Sequence, residues 1–176
     1  PVEKKDGTVR LTTNLVGLNS LVDLDSYSLP RMEELLCRLR DKRWFSKIDL
    51  KEGFFQVHLL ERDKEKTAFR LKNKTYEWNR MPMGCKNSPA TFQRIMDKVL
   101  AEEIEKSCYV YVDDILVFGE TEEEHEKAFI KISDLISDAG FQANTDKIEY
   151  KKKEVVFLGH TISPNKIMAH IDPAQG

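Results

Sequence analysis

Cysteine, histidine and long apolar runs are all scarce in this 176-residue sequence. The three cysteines, Cys37, Cys85 and Cys108, stand far apart with no CxxC pair, which argues against a disulfide framework or a thiolate metal site. The four histidines, at 58, 125, 160 and 170, lack zinc-ligand spacing. No apolar run reaches the roughly 18–20 residues of a membrane span, so no membrane partner is expected. Lys4, Lys5, Asp6 and Arg10 stand where a secretory signal would be apolar. With only 8 Gly and 6 Pro, the chain does not read as collagen, a mucin-like stalk or a long disordered tail. Without a secretory signal, Asn73-Lys74-Thr75 reads as a turn rather than a glycosylation site.

The charge that is present is unevenly spread. Residues 1–88 carry 18 Lys/Arg against 13 Asp/Glu, and residues 89–176 carry 10 against 17. A basic half suits a polyanion and an acidic half suits metal, although most charged side chains of any domain lie on solvated faces.

Three helices are legible. Ser28-Leu29-Pro30 opens the first, with Leu35, Leu36 and Leu39 on one face. Ser88-Pro89 opens the second, which places Phe92, Ile95, Met96, Val99 and Leu100 at helical spacing. Thr121 and Glu124 form a capping box for the third; Ala128, Ile132, Leu135, Ile136 and Ala139 make its apolar stripe, and Gly140 ends it. Strands are predicted at 43–50, 54–60, 67–71, 75–78, 108–112, 115–118, 141–143 and 155–158. With residues 51–87 set aside, the order is strand, helix, strand, strand, helix, strand. That is the α+β split βαβ, or ferredoxin-like, arrangement. Unrelated functions share it, so the order alone decides nothing.

The chemistry concentrates on acidic residues. Asp113-Asp114 separates two β-prone runs by hairpin spacing, so the turn is expected on these two residues. Alternation groups Tyr109, Tyr111 and Asp113 on one face. Two adjacent carboxylates repel unless a cation neutralises them. Asp49 ends the first strand of the core order, which lies beside the central hairpin in this fold, so three carboxylates are expected at one sheet edge. Such a set suits two Mg²⁺ ions and phosphoryl transfer.

Tyr111-Val112-Asp113-Asp114 resembles the YxDD box of reverse transcriptases. Phe45-Ser46-Lys47-Ile48-Asp49-Leu50 with Gly53-Phe54, Lys66-Thr67-Ala68-Phe69 and Met81-Pro82-Met83-Gly84 follow that family's order. So do Ser88-Pro89-Ala90-Thr91-Phe92-Gln93, the stretch from Thr121 to His125, and Phe157-Leu158-Gly159-His160. The set resembles the polymerase of gypsy-type long-terminal-repeat retrotransposons, part of a retrovirus-related Pol polyprotein. The resemblance implies a ferredoxin-like palm with a partial fingers subdomain. Residues 1–42 would be partial fingers, 43–50 the first catalytic strand and 51–87 a β excursion. Residues 88–155 would be palm, and 156–176 the primer-grip region, with no room for a thumb.

The implied activity is RNA- and DNA-directed DNA synthesis, adding deoxynucleoside triphosphates to a DNA primer on an RNA or DNA template. Asp49, Asp113 and Asp114 would hold two Mg²⁺ ions, with Mn²⁺ as a substitute. Lys4, Lys5, Arg10, Leu50, Phe54, Met83 and Gly84 would meet the nucleotide, with Phe54 as the steric gate against a ribose hydroxyl. Phe157, Leu158, Gly159 and His160 would grip the primer. RNase H and integrase regions of a parent polyprotein are the implied partners, in a virus-like particle or the nucleus. Asn14, Val16 and Met83 depart from the family's usual residues, so a catalytically inactive remnant that only binds nucleic acid or a partner stands as the alternative. An RNA-recognition module shares the element order but needs an RNP pattern, which is missing.

Overall fold

The computed structural model describes residues 2–5 and 7–170. Its first elements are β1 (Val2–Glu3), β2 (Val9–Arg10), α1 (Val16–Leu21), α2 (Met32–Arg38), β3 (Trp44–Asp49) and α3 (Glu61–Lys64). Next come β4 (Phe69–Leu71), β5 (Lys74–Tyr76), α4 (Ser88–Val99), β6 (Cys108–Tyr111), β7 (Asp114–Gly119) and α5 (Glu122–Asp138). β8 (Glu149–Lys152), β9 (Val155–Phe157), β10 (His160–Ser163) and β11 (Lys166–Ala169) complete the order. Among the described residues no helix is long and apolar enough to cross a membrane. The chain divides into two compact units, Pro1–Tyr27 with Glu52–Phe92, and Ser28–Lys51 with Gln93–Gly176.

The second unit is built on a four-stranded sheet in the order β6-β7-β3-β8, with each neighbouring pair antiparallel. This is the predicted split βαβ order, with β3 beside the central hairpin. α5 packs along β7 and β3. Its Thr121 Oγ1 accepts from the Glu124 amide, while the Glu124 carboxylate reaches the Glu120 amide rather than that of Thr121. Gly140, at φ +84°, stops the helix, and the Phe141 amide closes on the Ile136 carbonyl. Ala128, Ile132 and Ile136 are buried as predicted, but Ala139 is exposed and His125 joins the buried face. The other sheet face carries a core of Leu35, Leu39, Phe45, Tyr109, Leu116, Phe118, Val155, Phe157 and Ile162. Tyr109 meets Phe157 edge-to-face, 6.1 Å between ring centres, a preferred aromatic geometry.

Several expectations are corrected. α2 begins at Met32, past Pro30, and exposes Leu36 while burying Leu35 and Leu39. The final core strand is not the predicted 141–143, where only Ala143 bridges Leu50; it is β8. Lys151 and Lys152 give β8 the composition of a loop, yet lysine is a usual guard of an edge strand.

In the other unit, the predicted strand 54–60 is a 3-10 turn, Gly53–Gln56, followed by an isolated bridge from His58 to Arg80 and then α3. A strand would put Phe54 and Phe55 on opposite faces. The turn sets them roughly 120° apart, so both rings find partners: Phe54 on Phe92 at 5.6 Å, and Phe55 stacked on Trp78 at 5.4 Å. The strand predicted at 67–71 starts only at Phe69. Thr67 is spent on the preceding turn, its hydroxyl donating to Lys64 O and accepting from the Trp78 amide. The strand predicted at 75–78 is Lys74–Tyr76.

Candidate active site

Strand register brings the carboxylates together. Asp49 at the end of β3 pairs directly with Asp114 at the start of β7. Directly opposed residues share a face, with Cβ atoms roughly 5 Å apart. The Leu50 amide donates to the Asp113 carbonyl at 3.2 Å, which ties the turn to the same strand end.

The hairpin turn differs from expectation by one residue. Tyr111 pairs with Asp114, so the two turn residues are Val112 and Asp113, not Asp113 and Asp114. Asp114 therefore shares the face of Tyr111 and Asp49, and Asp113 leaves the ladder. Val112 sits at φ +56°, a left-handed backbone that a β-branched residue adopts only under strain, on the order of 1–3 kcal/mol.

Gln93 holds that turn. Fully buried on α4, it accepts from the Val112 amide at 2.6 Å and donates to the Val110 carbonyl at 3.1 Å and to Asp97 Oδ1 at 3.0 Å. Sequence reasoning gave it no role beyond the Ser-Pro motif. The available signal was a polar residue on the buried face, three before Met96 and seven before Leu100.

The electrostatics are those of excess negative charge. Burial, then its carboxylate neighbours Asp113 and Asp49, pushes the Asp114 carboxyl up to about 6, with Lys47 and Lys147 only partly offsetting them. Asp113 is also raised, chiefly by burial and further by Asp49, while its own backbone amide and Lys147 pull the other way. Lys47 is held by the Val156 carbonyl at 2.9 Å. Lys147, which sequence reasoning missed in a polar loop, brings its ammonium to 3.3 Å from Asp49 Oδ2. Three hard oxygen donors with too little compensating charge fit a divalent cation. They are adjacent without being gathered round one point. Among the described residues, no group of three His, Cys, Asp or Glu side chains is arranged to hold a metal ion.

Leu50 is buried beside these carboxylates, so it can offer a ligand little beyond its backbone. Of the primer-grip candidates, Phe157 lies in the core and pairs with His160 across a two-residue turn. Leu158 and Gly159 form that turn with φ +49° and +72°, the positive pair of a tight hairpin. His160 Nδ1 lies 2.9 Å from Leu158 O. Ile171 to Gly176, at the end of the expected primer-grip region, fall outside the described residues.

The other unit holds the remaining nucleotide candidates. Lys4 and Lys5 lie in the β1–β2 hairpin, and Arg10 pairs with Val2 at its base. The Lys4 ammonium is bound to Glu52 at 3.0 Å, while Lys5 is exposed. Gly84 sits at φ +85° with open space where a Cβ would be, so it is backbone conformation that requires glycine here, not crowding. Asn19, which sequence reasoning did not single out, grips this segment at both ends: it donates to Gly84 O at 2.9 Å and accepts from the Lys86 amide at 2.8 Å. Met83 is half-buried beside it. Asn14 accepts from the Val16 amide at 3.1 Å at the start of α1.

Comparison with known proteins identifies the family. Residues 2–162 match the family profile described as "Reverse transcriptase (RNA-dependent DNA polymerase)". The retrovirus-related Pol polyprotein from transposon 297 of Drosophila melanogaster is 41% identical over 90% of the chain, and the chain spans 15% of its length. The enzymatic polyprotein of cauliflower mosaic virus (strain Strasbourg) is 39% identical over 96% of the chain, which spans 25% of that protein. Among solved structures, the foamy viral protease-reverse transcriptase in complex with double-stranded DNA superposes with a TM-score of 0.86 at 32% identity. That match covers 95% of this chain and 29% of the foamy viral one. The foamy viral enzyme in complex with RNA/DNA hybrid gives 0.83 at 30% identity, covering 95% and 22%. On the profile match and on polyprotein relatives this similar over most of its residues, the chain belongs to the reverse transcriptase family.

Proposed function

We propose that this chain is the palm and partial fingers of the RNA- and DNA-directed DNA polymerase of a gypsy-type retroelement, and that it adds deoxynucleotides to a primer 3′-hydroxyl on an RNA or DNA template. The observation that carries the reading is the β3–β7 register, which pairs Asp49 with Asp114 and places Asp113 one residue away. The chain spans a small fraction of the polyproteins it matches, so RNase H and integrase regions of a longer parent are part of the proposal.

Reverse transcriptases use divalent metal ions. Asp49, Asp113 and Asp114 would hold two Mg²⁺ ions, which when bound supply activation of the primer hydroxyl and charge neutralisation on the departing pyrophosphate. The chain's own residues prepare for this. Gln93 fixes the backbone of the turn that carries Asp113. Burial raises the free energy of the bare carboxylates, so cation binding relieves repulsion already built into the fold.

Lys5 and Arg10 suit the triphosphate, as ammonium and guanidinium bind phosphate strongly; Lys4 must first give up its Glu52 partner. Phe54 is the proposed sugar gate, with Leu50, Met83 and Gly84 completing the nucleotide contacts. Phe157 to His160 would hold the primer end through their backbone. The test is primer extension by the full-length parent on RNA and DNA templates. Template-directed products that require Mg²⁺ or Mn²⁺ support the reading, and template binding without extension leaves the inactive remnant.

A further inference from the structure

The buried side of the palm contains a polar network that the polymerase reading does not use. His125, in the first turn of α5, is fully buried, and its Nε2 lies 2.7 Å from Ser46 Oγ. Ser46, also fully buried, accepts from the Lys151 amide at 2.8 Å. Lys151 is no ordinary strand residue. Phe45 pairs with Lys152 and Lys47 with Glu149, so Tyr150 and Lys151 together oppose the single residue Ser46. That is a β-bulge, and Lys151 sits in it at φ +53°, where a lysine is strained.

α5 approaches closely enough to reach Ser46 because β7 ends in Gly119. A Cβ there would fall 2.5–2.8 Å from the backbone and Cβ of His125. Around the bulge, Lys151 Nζ lies 3.6 Å from Glu122 and 3.8 Å from Glu126, and the His125 ring packs against Phe129 and Tyr150. Burial, then the Lys151 charge, holds the imidazole below its ordinary pKa against the opposing pull of Glu126, so the ring is neutral at pH 7. His125 Nδ1 is buried without a partner. Nε2 and the Ser46 hydroxyl share one hydrogen bond, and the tautomer of His125 sets which of them donates it.

The bulge matters for what precedes it in the chain. The segment entering β8 wraps the end of β3: the Asn144 amide donates to the Asp49 carbonyl at 2.7 Å, the Lys51 amide to Gln142 O at 2.9 Å, and Lys147 reaches Asp49 Oδ2. The register of β8 therefore sets where this segment meets Asp49.

We propose that His125 is a positioning residue of the polymerase centre: through Ser46 it holds the Lys151 bulge, and the bulge sets how residues 142–147 brace Asp49. Losing the His125 partner of Ser46 lets β8 relax toward regular pairing. One residue of slip moves the 144–147 segment by roughly 3.3 Å. The proposal rests on the polymerase reading of Asp49, so the test carries a readout that does not need activity.

The full-length parent is compared with H125L, H125Q and the double variant H125L/K151G, using steady-state primer extension and amide hydrogen exchange. The expected result for H125L is a kcat lowered about 10- to 100-fold, the scale of a small misplacement at a reacting centre, with KM for primer–template unchanged. The Asn144 and Lys151 amides exchange faster. H125Q keeps a side-chain amide that can donate to or accept from Ser46 Oγ and stays near the parent. Glycine at 151 adopts the left-handed backbone without strain, so K151G restores both kcat and protection in the H125L background, although it removes the Lys151 ion pairs. A purely structural histidine predicts no such rescue. Parental kcat and protection in H125L, or restored protection without restored kcat, overturns the proposal. Where H125L fails to fold, S46A takes its place with the same expected pattern and the same rescue. A parent with no primer extension sinks the polymerase reading, and unchanged Asn144 protection in the variant then sinks the bracing claim separately.

Discussion

Asp114 has a folded-state pKa of about 6, above the ordinary aspartate value. The sign of its effect on stability follows. The folded chain binds this proton more tightly than the unfolded chain does, so the contribution of Asp114 is most favourable when it is protonated. That contribution is lost as pH rises from about 4 to about 6, and the penalty is complete above that window. Two units correspond to roughly 3 kcal/mol; partial exposure of the side chain reduces this to on the order of 1–2 kcal/mol. In metal-free buffer, Asp114→Asn is therefore expected to raise the melting temperature at pH 7 but not at pH 4. Thermal melts of both proteins across that range check it, and a variant less stable than the parent at pH 7 contradicts the account. Phe54 offers a second test at this scale. As a sugar gate, Phe54→Val raises the ratio of ribo- to deoxynucleotide incorporation. As only a partner for Phe92, it lowers stability by about 1–3 kcal/mol and leaves that ratio alone.

At the scale of elements, the YVDD hairpin is a strained turn held from one helix. Replacing Gln93 with Leu keeps the bulk but leaves the Val112 amide and Val110 carbonyl without their buried partner, for a loss of about 1–3 kcal/mol. Polymerisation is expected to fall further than stability alone explains, because Val112 is then free to leave its left-handed backbone. Val112→Gly in the Gln93→Leu background recovers part of the activity, as glycine needs no such hold; the ratio of extension rates in the single and double variants measures this. Elements also mark how far the sequence could be read. α4 and α5 were legible because their apolar residues recur at helical spacing and their starts carry Ser-Pro and Thr-x-x-Glu. β3 and the hairpin were legible as short β-prone runs rich in aromatic and branched residues. The turn position was not, because Val112 in a left-handed conformation violates the preference on which turn prediction rests. β8 was hidden because a lysine-rich edge strand has the composition of a loop.

At the scale of the molecule, the strand order was predictable because β6 and β7 are strongly apolar, α4 stands between β3 and β6, and the capped α5 follows β7. That order was enough to bring together carboxylates 64 and 65 positions apart in sequence. What the sequence hid are the supports: Gln93, Lys147, Asn19 and the Ser46–His125 pair. Each acts through a backbone group or a charge that no spacing rule brings near it. The central claim is that Asp49, Asp113 and Asp114 form one nucleotidyl-transfer centre. Its most direct test is Asp113→Asn in the full-length parent, which keeps the shape of the side chain and removes the charge that attracts Mg²⁺. Primer extension should disappear while the melting temperature is not lowered and primer–template affinity is retained. Appreciable extension by that variant would contradict the account.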